Sequence, residues 1–146
     1  MYRPEEILLM QREAEELSLK YPAQFMLLSC EELAQIVNGY GPDHWHEKLR
    51  KAVSWIFRKY PTPAAIHDVR YEFSDGSELT RKAADAEFAA NLLLVWQARY
   101  GITRWINPAA WYGYWKINTA AALTCKFGKS AWRDACCRRK RSCENE

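Results

Sequence analysis

The sequence predicts an all-α protein, a small helical domain. Three observations carry that prediction. Apolar residues recur every three or four positions through successive segments. Those segments are bounded by helix start and stop signals, among them Pro4, the Ser29–Glu32 pair, Pro61 and Gly101. No stretch alternates apolar and polar residues as a half-buried strand does, and there is no internal repeat.

The elements follow in order. Pro4 suits the first turn of a helix, and Ile7, Leu8, Leu9, Ala14 and Leu17 lie among charges from Glu5 to Lys20, so an amphipathic helix is expected there. Tyr21-Pro22 breaks it. Ser29 with Glu32 three residues on has the form of a capping box, opening a short helix through Leu33, Ile36 and Val37. Residues 38–43, Asn-Gly-Tyr-Gly-Pro-Asp, form a turn by composition. A helix is expected from His44 to Tyr60, with Trp45, Leu49, Val53 and Ile56 on one face and Lys48, Lys51, Arg58 and Lys59 on another. It serves either as a core helix with a solvated basic side or, over 45–59, as a peripheral contact with an anionic membrane. Pro61-Thr62-Pro63 starts the next helix, with Thr62 as its N-cap, and that helix runs to about Phe73. A loop at 74–77 leads to a helix over Glu78–Tyr100, closed by Gly101. A last, aromatic helix is expected over Trp105–Ala122, with Asn107-Pro108 at its start and Phe127-Gly128 ending or bending it.

The 146 residues suffice for one domain, placed at 1–135, with 136–146 as a basic polar tail around Arg138-Arg139-Lys140-Arg141. A formal charge of +3 gives no reason to expect nucleic acid as a partner. The five cysteines (30, 125, 136, 137, 143) match no zinc-knuckle spacing and read as free thiols in a reducing compartment. The charged start, Met1-Tyr2-Arg3-Pro4-Glu5-Glu6, has no signal-peptide pattern, and no apolar run is long enough to span a bilayer, so a cytoplasmic protein is expected.

The chemistry centres on two helices. His67 and Tyr71 are four residues apart and share a face. Asp85 falls in the inward stripe of the next helix, with Ala84, Phe88, Leu92 and Val95. A buried carboxylate needs donors. His67 can give one ring N–H and Tyr71 its hydroxyl, which would leave the second imidazole nitrogen to accept a proton from water. Asp68, about 100° around the helix from His67, is left to face another partner. With main-chain carbonyls of the 38–42 turn it can contribute to an all-oxygen calcium (Ca²⁺) cage, which would polarise an ester carbonyl. A histidine and an acid on neighbouring helices also meet by chance, and a lone Gly-x-Gly is most often a plain turn.

The order Asn38-Gly39-Tyr40-Gly41-Pro42, Ile66-His67-Asp68-x-x-Tyr71, Ala84-Asp85-x-x-Phe88-x-x-Asn91 and Trp111-Tyr112 resembles the phospholipase A2 superfamily, most closely its small phage and prophage members. The resemblance spans about 37–132. It implies an antiparallel helix pair carrying the His-Asp site, with His67 as general base, Asp85 orienting it and Tyr71 supporting Asp85. It assigns calcium to Asp68 and the main chain of Asn38, Gly39 and Gly41. The implied activity is calcium-dependent hydrolysis of a phospholipid or other acyl ester, in a phage-encoded protein of the host cytoplasm. Tyr40 and Ala64 stand where those relatives carry cysteines, so a family disulfide is absent as a pair. The second expectation is a catalytically silent scaffold that serves as a phage accessory or host-inhibiting protein by binding a host protein.

Overall fold

The computed structural model describes residues 2–37 and 59–143. Among them are α1 (Pro4–Glu16), α2 (Gln24–Leu27), α3 (Cys30–Ile36), α4 (Pro61–Glu72), α5 (Glu78–Tyr100) and α6 (Pro108–Cys143), with a 3-10 turn at Gly101–Trp105 and no strand. The all-α expectation therefore holds for the described residues. The expected 38–43 turn and nearly all of the expected 44–60 helix lie outside them. Lys59 and Tyr60, the last residues of that helix as read from sequence, are not helical.

α1 is shorter than its charge pattern suggests, ending at Glu16 rather than Lys20. The cause is local. Ser18 takes a left-handed φ of 50°, the Ser18 amide donates to the Glu15 carbonyl, and the Leu19 amide donates to the Ala14 carbonyl. These two bonds make a Schellman closure with serine in the position usually held by glycine. α2 is a single turn that the sequence did not announce. α3 begins as expected. The Glu32 amide donates to Ser29 Oγ at 3.2 Å, and the Ser29 amide donates to the Glu32 carboxylate at 2.8 Å.

α4 is the hub. Thr62, Pro63, Ala64, Ala65, Ile66, His67, Val69 and Tyr71 are all buried on it, because α1, α2, α3, α5 and α6 each pack against it. A helix enclosed on most sides carries apolar residues around most of its circumference. Its start corrects the expected cap. Pro61 is already helical and Tyr60 takes the N-cap place, which suits a proline with no N–H to satisfy. Thr62 lies inside the first turn, fully buried, and its hydroxyl donates to Glu13 of α1.

α4 and α5 form an antiparallel hairpin. Contacts climb away from the turn in order, from Ser74 with Thr80, through Arg70 with Glu87 at 2.8 Å for both bonds, to the His67 and Phe88 rings at 4.9 Å. Ser77 caps α5 through the Thr80 amide, and Gly101 closes it at φ 49°. Asn91, fully buried on α5, accepts from the Lys20 amide at 2.9 Å and donates to the Lys20 carbonyl at 2.7 Å. That pair of bonds fastens the segment after α1 to the hairpin.

α6 departs most from expectation. Trp105 belongs to the 3-10 turn, but the helix starts at Pro108, at the expected Asn107-Pro108 opening. Phe127-Gly128 does not end it, since one helix of 36 residues runs on to Cys143. It crosses the 135/136 boundary expected between domain and tail. Near its start, Trp96 of α5 donates to the Ala110 carbonyl at 2.9 Å. Farther along, Trp132 donates to Ser74 Oγ at 3.0 Å and closes a small cluster with Tyr71 and Ala84. Cys30 and Cys125 are free thiols, and no helix among the described residues is long and apolar enough to cross a membrane.

Candidate active site

The hairpin brings His67, Tyr71 and Asp85 together. His67 Nε2 lies 3.1 Å from Asp85 Oδ1, and the Tyr71 hydroxyl donates to the same oxygen at 2.5 Å. All three side chains are buried. An ionised carboxylate only accepts, so Nε2 carries the proton in this pair. Nδ1 bonds no described residue. Nδ1 is therefore the ring nitrogen that the Asp85 contact leaves available. The ring packs against Tyr71, at 4.0 Å between centroids, and against Phe88, at 4.9 Å.

A fourth residue completes the cluster. Arg81 Nη1 donates to Asp85 Oδ2 at 2.7 Å, and Arg81 also bonds Glu78 through Nε at 3.2 Å and Nη2 at 2.7 Å. Glu78 and then Asp85 hold this guanidinium above even the usual arginine range. Asp85 is thus an ion-paired carboxylate with one oxygen for Arg81 and one shared by Tyr71 and His67. Toward His67 it is a hydrogen-bond acceptor whose other oxygen is held by Arg81. The sequence did carry a signal for Arg81: it stands four residues before Asp85, the spacing of an intrahelical ion pair. The Tyr71 hydroxyl is pushed well above the ordinary tyrosine range, first by burial and then by its bond to Asp85. It therefore acts as a donor and not as a charge.

Gly128 is the second residue that sequence reading placed wrongly. A Cβ built there would lie 2.7 Å from the Tyr71 hydroxyl oxygen. Glycine thus lets α6 pass directly over the Tyr71–Asp85 bond. What looked like a helix stop is a point of close approach.

The expected calcium ligands are not assembled among the described residues. Asp68 is half-buried next to His67, while Asn38, Gly39 and Gly41 lie outside the described residues. No group of three His, Cys, Asp or Glu that could hold a metal ion occurs among those described. Asp85, the carboxylate nearest His67, is committed to Arg81. A calcium cage takes 6–8 oxygens, and of the expected ligands Asp68 alone lies among the described residues. A cleft of about 600 Å³ opens beside Ala14, Ser18, Tyr21 and Glu87, and its lining does not include His67.

Compared with protein-family models, curated proteins and solved structures, the chain matches none.

Proposed function

We propose that the protein is an acyl-ester hydrolase of phospholipase A2 type that acts on phospholipid or a related ester. The single observation behind this reading is the His67 Nε2–Asp85 Oδ1 contact of 3.1 Å. It leaves the opposite imidazole nitrogen as the base. Water bound at Nδ1 gives up a proton as its oxygen attacks the ester carbonyl, and the imidazolium returns that proton to the leaving alcohol. Asp85 keeps the ring in the productive tautomer, and Tyr71 and Arg81 keep Asp85 in place. Calcium held by Asp68 and the main chain of Asn38, Gly39 and Gly41 would supply the electrophile for the oxyanion. Work in a host cytoplasm and a phage or prophage origin belong to the same proposal.

The test is fatty-acid release from mixed phospholipid vesicles, with calcium and with chelator. Release that needs calcium and is lost in His67→Gln supports the reading. A folded wild-type chain that releases nothing in either condition overturns it.

The Arg81–Asp85 ion pair favours a second reading, because it would hold the cluster together without turnover. In that case the chain is a silent scaffold that binds a host protein, and His67→Gln leaves that binding intact.

A further inference from the structure

The end of α5 remote from Asp85 carries an unusual surface. It begins where α5 ends, about 24 Å along the helix axis from Asp85. Ile102 and Ile106 are 88% and 84% exposed, and Trp105, Trp111 and Trp115 are 66%, 58% and 58% exposed. They form one patch. Trp111 Nε1 reaches the Trp105 carbonyl at 3.4 Å, Tyr112 stacks on Trp115 at 6.0 Å, and Arg104 lies 5.3 Å over the Trp105 ring. Five large apolar side chains grouped at one end are more than scattered surface residues and call for a partner.

The charge pattern selects that partner. From Phe88 to Arg133 the sequence has no Asp or Glu, and the cations at this end that reach the surface include Arg99 and Arg104. Of the tryptophans in this stretch, Trp105, Trp111 and Trp115 are exposed, whereas Trp96 and Trp132 are buried. Tryptophan and tyrosine favour the boundary between headgroups and acyl chains, exposed isoleucine gains from entering the acyl region, and cations favour anionic headgroups. A second copy of the chain would set the same cations against themselves. A nucleic acid would gain little from the two isoleucines, which have no face for base stacking.

We propose that this end of the molecule docks on the surface of an anionic lipid bilayer. The docking stands apart from the hydrolase reading, because it uses no residue of the His67 cluster and needs no calcium.

The experiment is co-sedimentation with vesicles of phosphatidylcholine alone and of phosphatidylcholine with phosphatidylglycerol, in chelator, with tryptophan emission recorded. The wild-type chain and His67→Gln should both bind the anionic vesicles in preference, with a blue-shifted emission. Trp111→Ser combined with Trp115→Ser should lower the partition coefficient by roughly tenfold or more. Ile102→Asp with Ile106→Asp, at the two most exposed positions, should do the same should the tryptophan variant fold poorly. The proposal fails with equal or no binding to the two vesicle types, or with binding that survives both pairs of changes. It also fails should the patch instead drive a vesicle-free dimer or capture a short RNA in preference to lipid.

Discussion

Arg81 and Asp85 meet at 2.7 Å, one turn apart on the same helix and both buried. The pair decides what Asp85 can be: a fixed, charge-matched acceptor whose remaining oxygen serves Tyr71 and His67. Breaking a buried pair from one side leaves an uncompensated charge. Arg81→Met should therefore cost about 3 kcal/mol or more in urea unfolding. Combining it with Asp85→Asn should cost much less than the two single losses together, because the orphaned charge is gone. Additive losses would show that the pair is not coupled.

Tyr71 sets an alkaline limit. Its hydroxyl is held above the ordinary tyrosine range, and the raised value fixes the sign. Below about pH 10 the hydroxyl is protonated in folded and unfolded chains alike, and its stabilising bond is fully present. As pH rises past that range the unfolded chain releases the proton while the folded chain keeps it, so stability falls. Urea midpoints between about pH 8 and 11 should drop more steeply for wild type than for Tyr71→Phe. Part of the slope should remain in the variant, because burial also raises Tyr60. At neutral pH, Tyr71→Phe should cost about 2 kcal/mol, the worth of a hydrogen bond to a charged acceptor.

Gly128 and Tyr71 should behave as one unit. Gly128→Ala places a methyl where the hydroxyl oxygen stands, 2.7 Å away. The oxygen is pinned by Asp85, so it cannot turn aside freely, and a loss of about 1–3 kcal/mol is expected from overpacking. In the Tyr71→Phe background the same change should be nearly harmless, because the crowded oxygen is gone. Equal losses in both backgrounds would contradict the close approach.

Asn91 should prove structural and not catalytic. Its amide satisfies both main-chain groups of Lys20. Asn91→Leu leaves those groups unpaired and should cost about 2 kcal/mol or more, while leaving the His67 ring environment unchanged in an NMR spectrum.

The site was more legible than its surroundings. His67, Tyr71 and Asp85 could be placed because helical periodicity alone puts the first two on one face and the third in an apolar stripe. The start of α5 and its end at Gly101 were equally readable from loop and glycine signals. Thr62 misled, because Pro61 can itself open a helix and the hydroxyl found a partner on α1, far away in sequence. Gly128 misled for a related reason. A glycine that ends a helix and one that admits a neighbour look the same in a sequence, and only the packing of Tyr71 separates them. Arg81 was visible as an i, i+4 partner of Asp85, but nothing local says that a guanidinium will be buried.

The central claim is that Asp85 holds a proton on Nε2 of His67 and leaves Nδ1 open. The most direct measurement is the ¹⁵N NMR spectrum of the imidazoles at neutral pH, with His67 assigned by comparison with His67→Gln. With Asp85 accepting at 3.1 Å, the tautomer proton of His67 should sit on Nε2, with that preference lost in Asp85→Leu. A ring protonated at Nδ1, or one averaging between tautomers in the wild-type chain, would contradict it.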